Sequence, residues 1–564
     1  MYIPKRRWNV AEQDRAATQA LAEALGVPPL AAHLLRVRGI NDPEEGHRFL
    51  KPGIKHISNP LSLTDMDRAV ARIRAARDRD EKVLIFGDYD VDGITAAAIA
   101  WRGLRRFGLH AVDCGMPARL TEGYGLSAGR VEAAHADGVT LIITVDNGIR
   151  AFDAADKARE LGVDLIVTDH HAVDGPLPCA AAVVNPKRDG AEHPAYHLCG
   201  AGIAFKLCHA LNGTMNDLDI AAVGTVADIV PLRGENRVIV GLGLRHMAKH
   251  QRTGLAALAR VAGLDLRTLK AHHIGFQIGP RLNAAGRIGD GLPSLRLLLS
   301  ESASEAARIA DDLHKANEER RAIERGIYED ISTLLDKTFA SAQRSIVLAS
   351  TEWHAGVNGI VASRLVSRYH RPVVLISIEA DGTARGSARG IPGFDMVGAF
   401  GACAAVLEQY GGHVAAAGCT IVPENIPAFT ERFEEEARRQ LGDEELLADL
   451  PIDAEAMFSE MDATLMNTVA RLEPLGHMNP APIFCTRHAE VVPRSHRILK
   501  EAHIKFAVRQ NGRVFDAIGF GMADQWPAGT LPETIDLAYT PEFNTWNGET
   551  TIQLVVKDIV PARE

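Results

Sequence analysis

Apolar residues fall into two rhythms along this chain, and the change from one to the other marks its parts. Between residues 82 and 184 they come in compact runs: Val83-Leu84-Ile85-Phe86, Leu141-Ile142-Ile143-Thr144-Val145, Leu165-Ile166-Val167-Thr168 and Ala182-Val183-Val184. Short, nearly continuous apolar runs are the mark of strands buried on both faces. The amphipathic stretch 151–161, stopped by Gly162, predicts a helix between two of them. Strands alternating with helices predict an α/β fold built on a doubly wound, mostly parallel sheet. Before residue 75 the spacing is helical, with Asn41-Asp42-Pro43-Glu44 as a capped start. From 300 to 339 a charged run carries Leu313, Ile323, Ile327, Ile331 and Leu334 at helical intervals and predicts one long connecting helix. A second, smaller α/β unit follows, with strands at 345–349 and 372–378 around a helix at 360–369. From Pro451 the pattern turns to short segments at regular spacing, which predicts a small β-barrel. The expected parts are 1–75 helical, 76–300 the main α/β domain, 301–340 the connecting helix, 341–448 the second α/β domain and 449–564 the barrel.

Polar residues sharpen this picture where they interrupt the pattern. The first strand run ends at Gly87, and Asp88, Asp90 and Asp92 follow at alternate positions, with a helix expected from Thr95. Taken alone, that acidic segment reads equally as a surface turn, a set of helix caps or a cluster of hard oxygen ligands for Mg²⁺ or Mn²⁺. The second run ends at Asp146 and the third at Asp169-His170-His171. In open parallel sheets the functional crevice lies at the carboxyl ends of the strands, and three strands here deliver carboxylate or imidazole to that end. Packing does not call for such groups there. Asp228 stands inside the apolar segment 219–230 and needs a partner, either an arginine or a cation. Arg281, Asn283 and Arg287 lie in GPRLNAAGR, a small-residue segment expected to be a loop able to approach phosphate. In ARGSAR, Arg385, Ser387 and Arg389 would share one face of a strand. His413 stands in the glycine-flanked GGHVAAAG, expected to be a loop suited to an anionic ligand. In the barrel, Lys500, His503, Lys505, Arg509 and Arg513 crowd one hairpin with Phe506 and Phe515 between them, a composition that suits single strands. Each of these aromatics reads equally as barrel core.

Composition adds little and excludes some classes. The 564 residues carry a formal charge of -10, with 46% hydrophobic and 24% charged residues, as in an ordinary globular protein. Seven cysteines without a CxxC pair argue against a disulfide framework or zinc ribbon and suggest a reducing, cytoplasmic compartment. No window approaches the roughly 20 apolar residues of a membrane span, and the N-terminus lacks a signal-peptide core. The negative charge does not exclude nucleic acid, because local clefts and bound metals decide that.

Nine motifs in order carry a family resemblance: GDYDVDG (87–93), VDNG (145–148), TDHH (168–171), GTVADIVPL (224–232), GPRLNAAGR (279–287), HAGVNGIVASRL (354–365), GSARG (386–390), GGHVAAAG (411–418) and EPLGHMNPAPIF (473–484). With these, the chain resembles the RecJ branch of the DHH phosphoesterase superfamily over nearly its whole length. The resemblance implies a DHH domain, a DHHA1 domain and a C-terminal OB-fold. It implies two divalent ions, Mn²⁺ or Mg²⁺: one held by Asp90 and Asp146 with Asp88 close by, the other by Asp92, Asp146, His170 and Asp228. His171 would face the scissile phosphate, with Asp169 orienting the histidines. Arg281, Asn283, Arg287, Ser387, Arg389 and His413 would meet the DNA backbone or its 5′ phosphate.

The implied activity is a 5′→3′ exonuclease on single-stranded DNA, releasing 5′-mononucleotides by two-metal hydrolysis in recombination and repair. Implied partners are single-strand-binding protein and a helicase, with the chain acting as a monomer and no membrane involved. The alternatives are another DHH phosphoesterase, such as an oligoribonuclease or cyclic-dinucleotide phosphodiesterase, or a non-catalytic DHH scaffold of a replication complex. The chain departs from the family pattern at Val91, Asn358, Ala388, Gly390 and Met478, none of them a metal ligand.

Overall fold

The computed structural model describes residues 6–117, 125–288, 291–340, 342–442, 444–546 and 548–562, without the side chains of Ala285, Arg287, Ile288 and Trp546. The chain divides into two compact units, one of Arg15–Asn317 with Asn467–Ala481, the other of Met1–Asp14, Glu318–Met466 and Pro482–Glu564. The first described element, strand β1 (Arg6–Val10), belongs to the latter unit.

The first unit is built on a parallel five-stranded sheet of β2 (Val83–Gly87), β3 (Val112–Gly115), β4 (Leu141–Val145), β5 (Asp164–Thr168) and β6 (Ala182–Val184), in the order β3-β2-β4-β5-β6. Both faces are covered, as the apolar runs require. Val83, Ile85, Leu141, Ile143 and Ile166 face a core that includes helices α1 (Val91–Phe107), α2 (Gly200–Asn212) and α3 (Leu218–Ala227). Phe86, Ile142, Leu165, Val167 and Val183 face the helices Ala128–Ala136 and Phe152–Leu161. The strand order reverses at β2, which has β3 on one side and β4 on the other. That reversal opens a crevice at the carboxyl ends of β2 and β4. GPRLNAAGR is not the expected loop: it forms helix α4 (Gly279–Ile288), entered through a π-helical turn at Ile274–Ile278. Its small residues serve close packing, since a Cβ on Gly286 would come 3.0 Å from the Tyr89 carbonyl oxygen.

The 36-residue helix α5 (Ala303–Thr338) contributes its start to the first unit and its remainder to the second. The second unit then forms a mixed five-stranded sheet from β7 (Ile346–Ser350), β8 (Val373–Ile378), β9 (Ala384–Arg389), β10 (Gln409–His413) and β11 (Ala416–Ile421), in the order β10-β11-β9-β8-β7. Helix α6 (Ala355–Tyr369) covers one face, and Phe394, Phe400, Phe429 and Phe433 pack on the other. GGHVAAAG, expected to be a loop, spans the turn of the β10–β11 hairpin, with His413 the last residue of β10. Strand β12 (Ala448–Ile452) pairs in parallel with β1, with Trp8 opposite Leu450. Seven further strands follow: β13 (Ala454–Glu455), β14 (Phe484–Val491), β15 (Arg497–Leu499), β16 (His503–Gln510), β17 (Arg513–Gly519), β18 (Thr534–Trp546) and β19 (Glu549–Pro561). Pairing runs β14-β18-β19-β17-β16 and returns from β16 to β14, which closes a barrel. No single described helix is long and apolar enough to cross a membrane.

Candidate metal centre and phosphate-binding groups

The sheet register assembles the site. Gly87, Val145, Thr168 and Val184 stand in one row across β2, β4, β5 and β6. The residues that follow them, Asp88, Asp146, Asp169 and Asn185, therefore leave the sheet side by side. Asp90 caps α1, its Oδ1 accepting from the amides of Asp92 at 2.9 Å and Gly93 at 3.1 Å. The helix thus starts at Val91 rather than Thr95, and Asp92 lies in its first turn. Asp92 in turn holds the start of α2, its Oδ2 accepting from Gly200 N at 2.6 Å and its Oδ1 from Ala201 N at 2.9 Å. Asp228 closes the end of α3.

His170 Nε2 lies 3.0 Å from Asp146 Oδ1, 3.7 Å from Asp228 Oδ2 and 3.8 Å from Asp92 Oδ2. Three sets of ligand atoms gather, each within 4.8 Å: Asp88, Asp90 and Asp146; Asp92, His170 and Asp228; Asp146, His170 and His171. Asp169 is buried, and its Oδ1 accepts from the amides of His170 at 2.7 Å and His171 at 3.1 Å and meets His171 Nδ1 at 2.7 Å. Its Oδ2 accepts from Ile149 N at 2.9 Å, so this one carboxylate shapes the loop that presents both histidines. Asp146 is held at φ 64°, an uncommon conformation for a residue other than glycine.

The electrostatics call for a cation. Burial, then the charge of Asp92, raises Asp90 above the usual carboxylate range. Burial and the charges of Asp92, Asp90, Asp228 and Asp169 raise Asp146 well above it. Burial with Asp92 and Asp90 pushes Asp228 up to about 9, and its buried Oδ2 accepts no hydrogen bond among the described residues. Burial also lowers His170, which favours the neutral imidazole that ligates metal. Carboxylates packed this closely cannot all ionise unless positive charge is placed among them. Hard oxygen donors with an imidazole fit Mn²⁺ or Mg²⁺, so these groups are positioned to hold divalent ions.

The remaining candidates are placed as follows. Arg281 is buried on α4, with Nη1 donating to Gln277 O at 2.8 Å and Nε facing His314 Nδ1 at 3.3 Å. Asn283 is half-buried on the same helix, and the Arg287 side chain lies outside the described residues. In the second unit Arg385, Ser387 and Arg389 do share one face of β9, the face opposite buried Ala388. His413 pairs with Ala416, which pairs with Arg389, so His413 and Arg389 project from the same face two strands apart. Burial lowers the half-buried Arg389. In the barrel hairpin, Lys505 pairs with Asp516 at 2.9 Å and Arg509 with Glu490 at 2.8 Å, while Phe506 is buried core. Sequence reasoning missed Gly200 and Ala201, whose amides fix Asp92. It also missed Asn147, whose Nδ2 donates to Phe86 O and Val145 O, both at 3.0 Å, and so ties β2 to β4.

Comparison with known proteins gives the same outline. The DHH family N-terminal domain matches residues 82–229, the DHHA1 domain 342–439 and the RecJ OB domain 452–558. The chain is 35% identical to the single-stranded-DNA-specific exonuclease RecJ of Bacillus subtilis, over 99% of this chain and 71% of that one. It is 34% identical to the Escherichia coli protein of the same name, over 95% and 96%. The crystal structure of RecJ from Thermus thermophilus in complex with Mn²⁺ superposes with a TM-score of 0.84 at 31% identity, covering 99% of this chain and 80% of that one.

Proposed function

From the premise that this chain belongs to the RecJ family of DHH phosphoesterases, we propose that it degrades single-stranded DNA from the 5′ end, releasing 5′-mononucleotides in recombination and repair. It is a metal-dependent, single-stranded-DNA-specific exonuclease. The full-length relatives share that activity by name, and the other DHH activities and the non-catalytic scaffold are not favoured. One observation carries the reading: the register row ending at Gly87, Val145 and Thr168 sets Asp88, Asp146 and Asp169 abreast, with His170 and Asp228 converging on Asp146 and Asp92.

In this reading Asp88, Asp90 and Asp146 hold one divalent ion, and Asp92, Asp146, His170 and Asp228 hold the other. Such a pair, when bound, supplies a water of lowered pKa and offsets charge growing on the phosphate oxygens. The chain's own groups do the positioning. His171 is tied through Nδ1 to Asp169 and is half exposed, and its exposed edge is assigned to the scissile phosphate. Burial works against a charged ring there, but the bond and charge of Asp169, then the charges of Asp92 and Asp88, outweigh it and hold His171 above the ordinary histidine value. Asn283, with Arg281 and Arg287 of the same helix, and Ser387, Arg389 and His413 on the second unit, are assigned to the DNA backbone and its 5′ phosphate.

A nuclease confined to single strands needs them supplied and held, which fits single-strand-binding protein and a helicase as partners. The seven free cysteines suit a cytoplasmic location, and catalytic and DNA-holding domains on one chain suit a monomer. The test is release of mononucleotides from 5′-labelled single-stranded DNA with Mn²⁺, with Asp146→Ala as comparison. Wild-type activity should fall by at least about 1,000-fold in the variant, because a ligand common to both ions is lost. Activity retained in Asp146→Ala, or equal cutting of blunt duplex, would contradict the reading.

A further inference from the structure

A continuous rim of hydrogen-bonded residues leads from His171 to the loop after Asp228. Asn185, the residue that leaves the sheet beside Asp169, donates from Nδ2 to the His171 carbonyl at 3.0 Å. Two residues on, Lys187 donates from Nζ to Tyr196 O at 2.8 Å and sits 3.9 Å above the Tyr196 ring. The Tyr196 ring meets His197 edge-on, with centroids 5.0 Å apart. Asn236 then bridges the His197 carbonyl at 2.6 Å and the Pro231 carbonyl at 3.0 Å, and Pro231 lies three residues beyond the metal ligand Asp228. Arg233 follows on the same loop, its Nε donating to Met478 O at 3.1 Å.

The positive charge along this rim has no carboxylate partner among the described residues. Several basic side chains nearby are answered by acids: Arg188, next to Lys187, pairs with Asp65 at 2.8 Å, and Lys206 with Glu235 at 2.9 Å. Lys187 and Arg233 contact backbone carbonyls instead, and no carboxylate lies within ion-pair distance of either among the described residues. Two half-buried cations thus stand beside a dense cluster of carboxylates without being spent on it. Half-burying a cation without an anion is unfavourable, so a bound anion would relieve it. Lys187 is close enough for its charge to act on His170, and both Lys187 and Arg233 act on His197.

We propose that Lys187, Arg233 and the exposed His197 form a phosphate-binding rim, which grips the DNA backbone at phosphates next to the one being cut. This deepens the exonuclease reading and rests on it. Lys187 and Arg233 supply charge without base recognition, as expected for an enzyme that must advance along any sequence. His197 adds a ring N–H donor between them.

The measurement is binding of a fluorescently labelled single strand to the full chain across a NaCl series, without divalent metal so that nothing is cut. The affinity of single strands falls with salt by a log–log slope of about 0.7 per phosphate contact. Lys187→Gln and Arg233→Gln should each reduce the slope by about 0.7 and the double variant by about 1.4, with binding weaker several-fold at fixed salt. Lys187→Arg and Arg233→Lys should keep the wild-type slope. Arg159→Gln, which removes a surface partner of Asp156, should change nothing. An unchanged slope in the double variant, or a slope reduced equally by the charge-preserving variants, overturns the rim. If Lys187→Gln does not fold, Arg233→Gln alone decides by the same criterion. A wild-type chain that binds no single strand here and degrades none with Mn²⁺ would instead count against the exonuclease reading itself.

Discussion

At Gly200 the backbone of a helix touches the carboxylate cluster directly. A Cβ there would come 2.4 Å from the Asp146 Cβ, while the Gly200 amide donates to Asp92 at 2.6 Å. Gly200→Ala should therefore displace one carboxylate or the helix start, at an overpacking cost of about 1–3 kcal/mol. The expected result is Mn²⁺ affinity at least about tenfold weaker, since about 1.4 kcal/mol lost from ligand placement is a factor of ten. Electron paramagnetic resonance of free Mn²⁺ reads this directly. Gly202→Ala, whose methyl would have the Leu198 side chain as its nearest neighbour at 3.1 Å, should bind as wild type. Equal affinity in both variants would show that α2 does not position the ligands. Other single positions also explain themselves at this scale. Asn358, polar where the family pattern is apolar, is buried and donates from Nδ2 to Ser377 Oγ at 2.7 Å. Met478, in place of a turn glycine, keeps the turn at φ 56°. Asp90 answers the ambiguity of the acidic segment, because it caps a helix and also belongs to a ligand set.

At the scale of elements, strands with full apolar runs were legible because burial on both faces leaves no room for polar residues. Strands β1 and β3 were not: RRWNV and VDCG lie at edges or pair with a single neighbour, so little of either is buried. Helix α4 looked like a loop because its small residues signal close approach, and a helix packed closely on the turn at Tyr89 leaves the same mark. The hairpin that carries His413 was obscured by its glycines and alanines, which are poor strand formers, on a strand that is exposed throughout. The order of α1 and α3 rests on an ion-pair cluster that no motif announces. Asp217 meets Arg102 and Arg252 at 2.8 Å and also Arg106, and Asp219 meets Arg252 at 2.7 Å. Burial opposes ionisation of Asp219, but His246 and Arg252 hold its carboxyl well below the usual range. Its folded-state pKa is thus depressed. The stability it contributes is complete above the unfolded value near 3.9 and is lost as pH falls through the lower folded value. Asp219→Asn should cost about 1.5–3 kcal/mol at pH 7 by removing one of the two carboxylates that hold the part-buried Arg252, Asp217 remaining, with a shrinking difference below pH 4. Denaturant unfolding at pH 7 and at pH 3 checks the sign, and a difference that grew on acidification would contradict it.

For the molecule as a whole, the formal charge of -10 proved a poor guide to a nucleic-acid enzyme. Part of it is concentrated in Asp88, Asp90, Asp92, Asp146 and Asp228, where burial and mutual repulsion make it a demand for cations and leave less of it as a surface field. The strand-end motifs revealed this centre because sheet register converts residues far apart in sequence into neighbours. The helix starts, the carbonyl-bound cations and the register of β9 to β11 were hidden, since they depend on pairings that no local pattern encodes. The central claim is that the carboxyl ends of β2, β4 and β5, with Asp228, hold two divalent ions that share Asp146. Anomalous scattering from crystals soaked in Mn²⁺ tests it most directly. The account predicts two peaks, one among Asp88, Asp90 and Asp146 and one among Asp92, Asp146, His170 and Asp228. A single peak, or peaks whose ligands leave out Asp146, would contradict it.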